Sequence, residues 1–308
     1  MSPEAGPLVA AVDLGKTTCR VRLHGRGADG SRSGHGAPGL AAELGAEQAF
    51  DAIAALLDGL VVDGLGSSSA LGAVGIGAAG AESAPAAARL LAHRVAERWA
   101  AHTVVASDVL TAHLGAFDGA AGTVLVAGTG AVAYRIDDAG ERRRSDGWGP
   151  WLGDDGSGRW IGQHGLQAAL RAADGRGEGT ALVDDAALLA GGLDALPAHI
   201  GGADAARRLA SFAPAVLARA AAGDSVATRI VADAAEQLAR TAASITPPGG
   251  NVAVIGGLAD DPDFLNRLTA ALHAQGLTPR RPLGTAIDGA AALALRSDLP
   301  HERYAIRV

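Results

Sequence analysis

The chain has 308 residues, a formal net charge of −7, 48% hydrophobic residues and only 3% aromatic ones. That length supports two domains, each with a core built mainly of Ala, Val and Leu. The negative balance gives no electrostatic case for nucleic acid, and Cys19, the only cysteine, excludes a disulfide framework, a Cys-based zinc site or a self-contained cysteine-ligated iron–sulfur cluster. The apolar runs are too short or too interrupted to span a membrane. No positive region followed by an apolar one opens the chain, so no signal peptide and a cytoplasmic location are expected. Of 26 basic residues only Lys16 is lysine.

Residues 8–24 predict strand, tight turn, strand: an apolar run, then Cys19, Val21 and Leu23 alternating with Arg20 and Arg22. Residues 25–42 are Gly-, Ser- and Pro-rich and predict a loop or weak hairpin. Phe50, Ile53, Ala54 and Leu57 mark a helix face. Ala73–Ile76 is a short strand, and a helix follows from Pro85, its apolar face running Leu91, Val95, Trp99. Thr103–Ala106 is another strand, and either Ser107 or Asp108 is suited to cap the helix after it.

The plan then repeats. Residues 123–136 are again strand, glycine turn, strand. A loop follows from Asp146 to Gly158, with three aspartates, five glycines and the tryptophans Trp148 and Trp151; its composition suits a polar ligand. Helices are expected at 158–173, around 186–189, over 205–222 and 225–244, at 262–275 and at 285–295, with a strand at 251–255. The tail from Ser297 is read as peripheral. Two strand–turn–strand units, near Gly15 and Gly128, each open an α/β segment, and a duplication explains them best. The expected division is 1–116 and 117–308, with a hinge near 114–122 and the last helix, about 285–297, packing back near it.

Glycine turns after apolar strands present backbone N–H groups that can bind phosphate. Gly15-Lys16-Thr17 imitates the end of a Walker A motif, but Ala10 stands where its first glycine belongs and a strand, not a helix, follows. Gly128-Thr129-Gly130 lacks the helix and the third glycine of a Rossmann turn.

Four blocks together resemble the sugar-kinase branch of the actin, Hsp70 and hexokinase superfamily, most closely the N-acetylglucosamine kinases of the BadF/BadG-type ATPase family. They are Asp13-Leu-Gly-Lys-Thr-Thr-Cys-Arg, Ala127-Gly128-Thr129-Gly130, Gly147-Trp148-Gly149 through Gly153-Asp154-Asp155-Gly156-Ser157, and Val254-Ile255-Gly256-Gly257-Leu258. The third is the most specific. The resemblance implies an α/β fold of two RNase H-like (actin-like ATPase) domains with a central interdomain cleft. It implies ATP and Mg²⁺ as cofactors, an amino sugar as substrate, and a homodimer as one expected state. Asp108 is implied as the general base that deprotonates the sugar 6-hydroxyl. Asp13 would approach Mg²⁺ through water. Gly15, Lys16, Thr17 and Thr18 would face the phosphates, as would Gly128, Thr129 and Gly130, while Gly256 and Gly257 would lie against adenosine. Asp108, Thr129, Gly149 and Asp154 would contact the sugar. Asp155 is read as a brace of the loop, and Trp148, Trp151 and Trp160 as packing residues.

Departures from the family pattern bear on the substrate. Lys16 stands where the family has glycine, and Thr18 where it often has lysine. The substrate-side Pro-x-Asn appears as Pro38-Gly39-Leu40, and Ala131 replaces a frequent serine. Polar groups are thereby missing where an N-acetyl sugar is expected, so N-acetylglucosamine, glucosamine and a muramic-acid-type sugar all stay open. His35 is the one histidine in the substrate-side loop. The competing readings are an ATPase or sugar binder of the same fold that activates a partner, a sugar-responsive regulator, and a non-catalytic binder. The single cysteine argues against a cluster-bearing activator. A first strand near residue 8 leaves no expected room for a DNA-binding segment.

Overall fold

The first apolar run is the centre of a sheet. In the computed structural model, which describes residues 7–25, 28–60, 71–202 and 204–308, β1 (Leu8–Leu14) is buried at every position except the half-buried Asp13. A strand covered on both faces is apolar throughout. β2 (Thr18–Gly25) runs antiparallel to it, with Cys19, Val21 and Leu23 fully buried and Arg20 exposed. β3 (Ala28–His35) pairs antiparallel with β2. Its Gly/Ser composition had suggested a loop or weak hairpin; pairing along β2 overrides the weak propensity, and residues 26 and 27 lie outside the described part.

α1 (Gly45–Leu60) packs Ala49, Ile53 and Leu57 into this core. β4 (Leu71–Ala78) lies parallel to β1, α2 (Pro85–Trp99) buries Leu91, Val95 and Trp99, and β5 (His102–Ser107) lies parallel to β4. α3 (Asp108–Phe117) is capped by Ser107, whose hydroxyl accepts the Leu110 N–H at 3.3 Å.

β6 (Gly122–Ala127), β7 (Ala131–Ile136) and β8 (Arg142–Asp146) follow, then α4 (Gly158–Ala173). Next come α5 (Leu182–Ala190), α6 (Leu196–Ile200), α7 (Ala205–Ala210) and α8 (Ala213–Ala221). The single helix expected over 205–222 is thus two, because Pro214 lacks the N–H a continuous helix needs and sits instead in the first turn of α8. α9 (Ser225–Ala243), β9 (Asn251–Ile255), α10 (Pro262–Ala274), β10 (Thr278–Arg280), α11 (Ala286–Leu295) and β11 (Ile306–Arg307) complete the order.

The sheets run β11-β5-β4-β1-β2-β3 and β10-β9-β6-β7-β8. Apart from β11 they have one plan: a ribbon of three sequential strands, then two strands added beside the first, parallel to it and to each other. This is the duplication expected from the repeated strand–turn–strand units.

One compact unit comprises Met1–Ala121, Ile136–Glu141 and Pro282–Val308; the other comprises Gly122–Arg135 and Arg142–Arg281. The division therefore takes three segments into the first unit where the sequence suggested one cut after residue 116. α11 is held there by an Arg22–Asp288 ion pair at 3.4 Å and by the Leu283 N–H donating to the Ala116 carbonyl at 3.0 Å. The tail is not peripheral. β11 pairs antiparallel with β5, and His301, fully buried, lies 2.9 Å from His113 of α3 through their ring nitrogens. Among the described residues no helix is long and apolar enough to cross a membrane.

Candidate active site

In the first unit, Asp13 of β1 pairs in register with Gly77 of β4, and Gly77 with Ala106 of β5. Three parallel strands therefore end together, the position at which open α/β sheets bind ligands. Asp13 stands at the end of β1 and Asp108 directly follows β5. Asp108 is half-buried. Burial pushes its carboxyl up to about 6, and the like charge of Asp13 adds to this; the Val109 N–H, 2.9 Å from Oδ1, and Lys16 act in the opposite direction. Asp13 is raised too, mainly by burial, with Arg20 opposing. Arg20 sits opposite Asp13 on β2, its Nη1 3.5 Å from Oδ2.

The turn between β1 and β2 has its Gly15 and Thr17 carbonyls occupied. Gly15 N–H donates to Thr18 O at 2.9 Å, Gly36 N–H to Thr17 O at 3.0 Å and Ala37 N–H to Gly15 O at 3.3 Å. Among the described residues the Lys16 and Thr17 amides donate to no protein acceptor, which leaves them for an anion. Gly36 makes this possible: a Cβ there would overlap the Gly15 carbonyl oxygen and stand 2.7 Å from the Thr18 nitrogen. The Lys16 side chain is exposed and passes beside Gly39. Leu40, at the position where an asparagine was expected, is 2% exposed and belongs to the core. His35 is exposed at the end of β3, paired with Thr18.

The second unit repeats the device. Gly128 N–H donates to Gly130 O at 3.0 Å, and the first amides of α4, Gly158 and Arg159, donate to Gly128 O and Thr129 O at 2.7 and 3.2 Å. Helix-start donors, normally unsatisfied, thus consume the turn's carbonyls, and the Thr129 and Gly130 amides have no protein acceptor among the described residues. β9 lies parallel to β6 with Val126 beside Ile255, so Gly256 follows next to Ala127, while Gly257 faces open space.

The aspartate-rich loop is built on Asp146. Its Oδ1 accepts the Asp154 N–H at 2.8 Å and its Oδ2 the Asp155 N–H at 2.9 Å. Asp146 and Asp154 both have left-handed backbones, φ 61° and 57°, a conformation aspartate tolerates better than most residues. The Asp154 carboxylate lies against Gly130, where a Cβ would stand 2.9 Å from Oδ2. Burial raises its pKa foremost and Asp146 adds to that, while the Ala131 and Gly149 N–H groups and Arg159 oppose. The loop thereby brings Thr129, Gly130, Gly149 and Asp154 together.

Two readings of this loop need correction. Asp146, not Asp155, is the brace; Asp155 is exposed and is itself held by Asp146. Trp148 and Trp151 do not pack in a core: they are 72% and 69% exposed. The core beneath is already filled by α4, α8 and α9 residues such as Ile161, Val216 and Leu238. Trp148 lies instead under the Arg144 guanidinium, 5.3 Å from its ring centre, and Trp160, half-buried, stacks on His164 at 3.7 Å.

Sequence reasoning missed Arg20, Gly36, Asp146 and Arg159. Asp146-Gly147 carried a turn signal. Arg159 carried none in so arginine-rich a chain. Among the described residues no group of three or more His, Cys, Asp or Glu side chains is placed to hold a metal.

Comparison with known proteins adds the following. The model of the BadF/BadG/BcrA/BcrD ATPase family matches residues 11–294. An N-acetylmuramic acid/N-acetylglucosamine kinase of Clostridium acetobutylicum is 33% identical over 82 residues; the match spans 27% of this chain and 27% of that protein. A Chromobacterium violaceum structure, provisionally an N-acetylglucosamine kinase, is 27% identical with a TM-score of 0.78, covering 94% of this chain and 99% of that one. A ROK-family glucokinase from Streptomyces griseus, solved with glucose and AMPPNP, shares the fold at 19% identity and a TM-score of 0.59, again covering 94% and 99%. The two-sheet α/β architecture is that of actin-like ATPase kinases.

Proposed function

The chain belongs to the BadF/BadG/BcrA/BcrD ATPase family, and from that premise we propose that it is an ATP-dependent kinase of an amino sugar. The γ-phosphoryl group would pass to the 6-hydroxyl of N-acetylglucosamine or a relative such as glucosamine or a muramic-acid-type sugar. The observation that carries this reading is Asp108, a half-buried carboxylate at the end of a parallel strand with its pKa brought up to about 6. A general base works best when its pKa lies near the working pH.

In this reading the free amides of Lys16 and Thr17, and those of Thr129 and Gly130, hold phosphate oxygens, with Gly15, Thr18 and Gly128 shaping the turns. Phosphoryl transfer demands mainly positioning and charge stabilisation, and rigid backbone donors supply both without reorganisation. Gly256 and Gly257 leave room for adenosine. Asp154, held by Asp146 and the Gly130 turn, orients sugar hydroxyls, with Gly149 beside it. Asp108 accepts the proton of the attacking 6-hydroxyl. The donor set fits a Mg²⁺ that arrives with ATP: one half-buried carboxylate, Asp13, with water and phosphate oxygens completing the shell. Bound there, the ion would offset charge on the transferring group.

The test is ADP release from Mg-ATP with a panel of N-acetylglucosamine, glucosamine, N-acetylmuramic acid and their 6-deoxy analogues. Turnover with at least one sugar, and none with its 6-deoxy form, is expected. No sugar-dependent turnover across the panel would sink the kinase reading, and sugar binding without ADP release would favour a sensor or partner-activating ATPase instead.

A further inference from the structure

Arg159 is the least explained charge in the molecule. It is the second residue of α4, and only 6% of its surface is exposed. Buried guanidinium groups ordinarily meet a carboxylate, since an uncompensated buried charge is strongly unfavourable. Arg159 meets none within ion-pair distance among the described residues. Its Nη2 donates to the Gly153 carbonyl at 2.6 Å, its Nη1 to the Gln163 amide oxygen at 2.7 Å, and its buried Nε has no partner. Three aspartates of one loop, Asp146, Asp154 and Asp155, nonetheless act on it electrostatically, while burial lowers its pKa.

Each of these facts has the same geometric origin. The loop leaves β8, turns at Asp146 and returns to α4 at Ser157. Asp146 ties the amides of residues 154 and 155 from one side. Arg159 ties the carbonyl of residue 153 from the other. The peptide that carries Asp154 is therefore gripped on both sides. A guanidinium placed near three carboxylates, but paired with none, offsets part of their repulsion and leaves Asp154, which already accepts the Ala131 and Gly149 N–H groups, its remaining acceptor positions for a ligand. A direct ion pair would have consumed that capacity.

We propose that Arg159 is the positioning residue of this site: it holds the Gly153 carbonyl and offsets part of the charge of the three-aspartate loop, so that the Asp154 carboxylate is presented to a polyhydroxylated ligand. The link to a sugar rests on the kinase reading above; the positioning of the loop does not. Arg159 also lines an open groove of about 540 Å³ with Trp151, Trp160 and His164, so a small cation has a route to its place.

Two measurements separate the claims. Hydrogen exchange without any ligand compares wild type with Arg159→Met. The Asp154 and Asp155 amides should lose at least tenfold protection while α9 amides are unchanged. In parallel, the sugar KM should rise at least tenfold with the ATP KM within twofold, and guanidinium at millimolar concentration should restore part of the loss in Arg159→Ala. Should Arg159→Met fail to fold, Gln163→Glu serves: the new carboxylate pairs with Nη1, draws the guanidinium from Gly153 and should deprotect the same two amides. Unchanged protection at residues 154 and 155 overturns the positioning role whether or not the protein is a kinase. Deprotection with an unchanged sugar KM overturns the link from the loop to the sugar. Absence of sugar turnover in the wild type speaks only against the kinase reading.

Discussion

Asp108 offers the most direct physical test, because one carboxyl should leave its mark on both activity and stability. Its pKa is moved from 3.8 to about 6, chiefly by burial. The sign follows from linkage. Well below pH 3.8 the group is protonated in folded and unfolded chains alike, and no penalty exists. Between pH 4 and 6 the unfolded chain releases the proton while the folded chain keeps it, so stability falls. Above about pH 6 the charged group is held in a site that disfavours it. The difference between 3.8 and about 6 corresponds to at most about 3 kcal/mol, less whatever solvent screens at a half-buried group. Asp108→Asn removes the charge and keeps an oxygen for the Val109 N–H. The variant should therefore melt several degrees above wild type at pH 8, and the gap should close by pH 4. Its kcat should fall by a factor on the order of 10² to 10⁴, the usual contribution of a general base. In wild type, kcat/KM should decline with unit slope below about pH 6, read by chromatographic ADP quantification so that no coupling enzyme limits the range. An acid limb near pH 4, or an asparagine variant less stable than wild type at pH 8, would refute the reasoning.

Gly130→Ala places a Cβ 2.9 Å from an Asp154 carboxylate oxygen, and that flexible end can move aside. The fold should survive with little change in melting temperature. The displaced carboxylate should cost about 1.5–3 kcal/mol of ligand hydrogen bonding, about ten- to hundredfold in sugar kcat/KM; an unchanged value would remove Asp154 from the sugar site. Gly36→Ala meets backbone rather than a side chain, at the Gly15 carbonyl and the Thr18 nitrogen. The first turn must shift, lowering stability by about 1–3 kcal/mol and raising the ATP KM while the sugar KM stays within a few-fold; a wild-type ATP KM would show that the turn's exact form does not matter to the nucleotide.

Much of the fold was legible because its decisive strands carry unambiguous patterns. β1 is an apolar run broken only by Asp13, β2 alternates cleanly, and α3 begins after Ser107, one of the two caps read for it. β8, β10 and β11, which escaped notice, and β3, read only as a loop or weak hairpin, are the four edge strands; β10 and β11 have three and two residues. Such strands are specified by the partner's backbone more than by their own side chains. The tail was misread for a related reason: Leu299 and His301 are buried, but isolated buried residues among polar neighbours leave no period to detect. In the candidate site, glycines and aspartates announced themselves by motif. What motif could not show was which aspartate accepts and which is presented. That distinction arises from backbone N–H groups converging on Asp146, a relation between residues eight and nine positions apart.

The duplication sharpens the division of labour between the two halves of the chain. β1, β2, β3, β4 and β5 correspond in order to β6, β7, β8, β9 and β10. On that correspondence Asp13-Leu14-Gly15 matches Val126-Ala127-Gly128. The first copy carries a carboxylate one residue before its strand ends, and the second carries valine. The first copy continues from β5 straight into Asp108 and α3, whereas β10 ends at Arg280 and the chain then leaves that unit. Turn amides without a protein acceptor are thus present in both copies, while among the described residues only the first copy has carboxylates, Asp13 and Asp108, at the ends of its parallel strands. The second copy has its own carboxylate, Asp154, but it enters from the loop before α4, where Arg159 acts on it electrostatically without pairing with it. Burial pushes one carboxyl in each copy, Asp108 in the first and Asp154 in the second, toward a raised pKa; in the proposed kinase the first takes the proton and the second meets the ligand's hydroxyls.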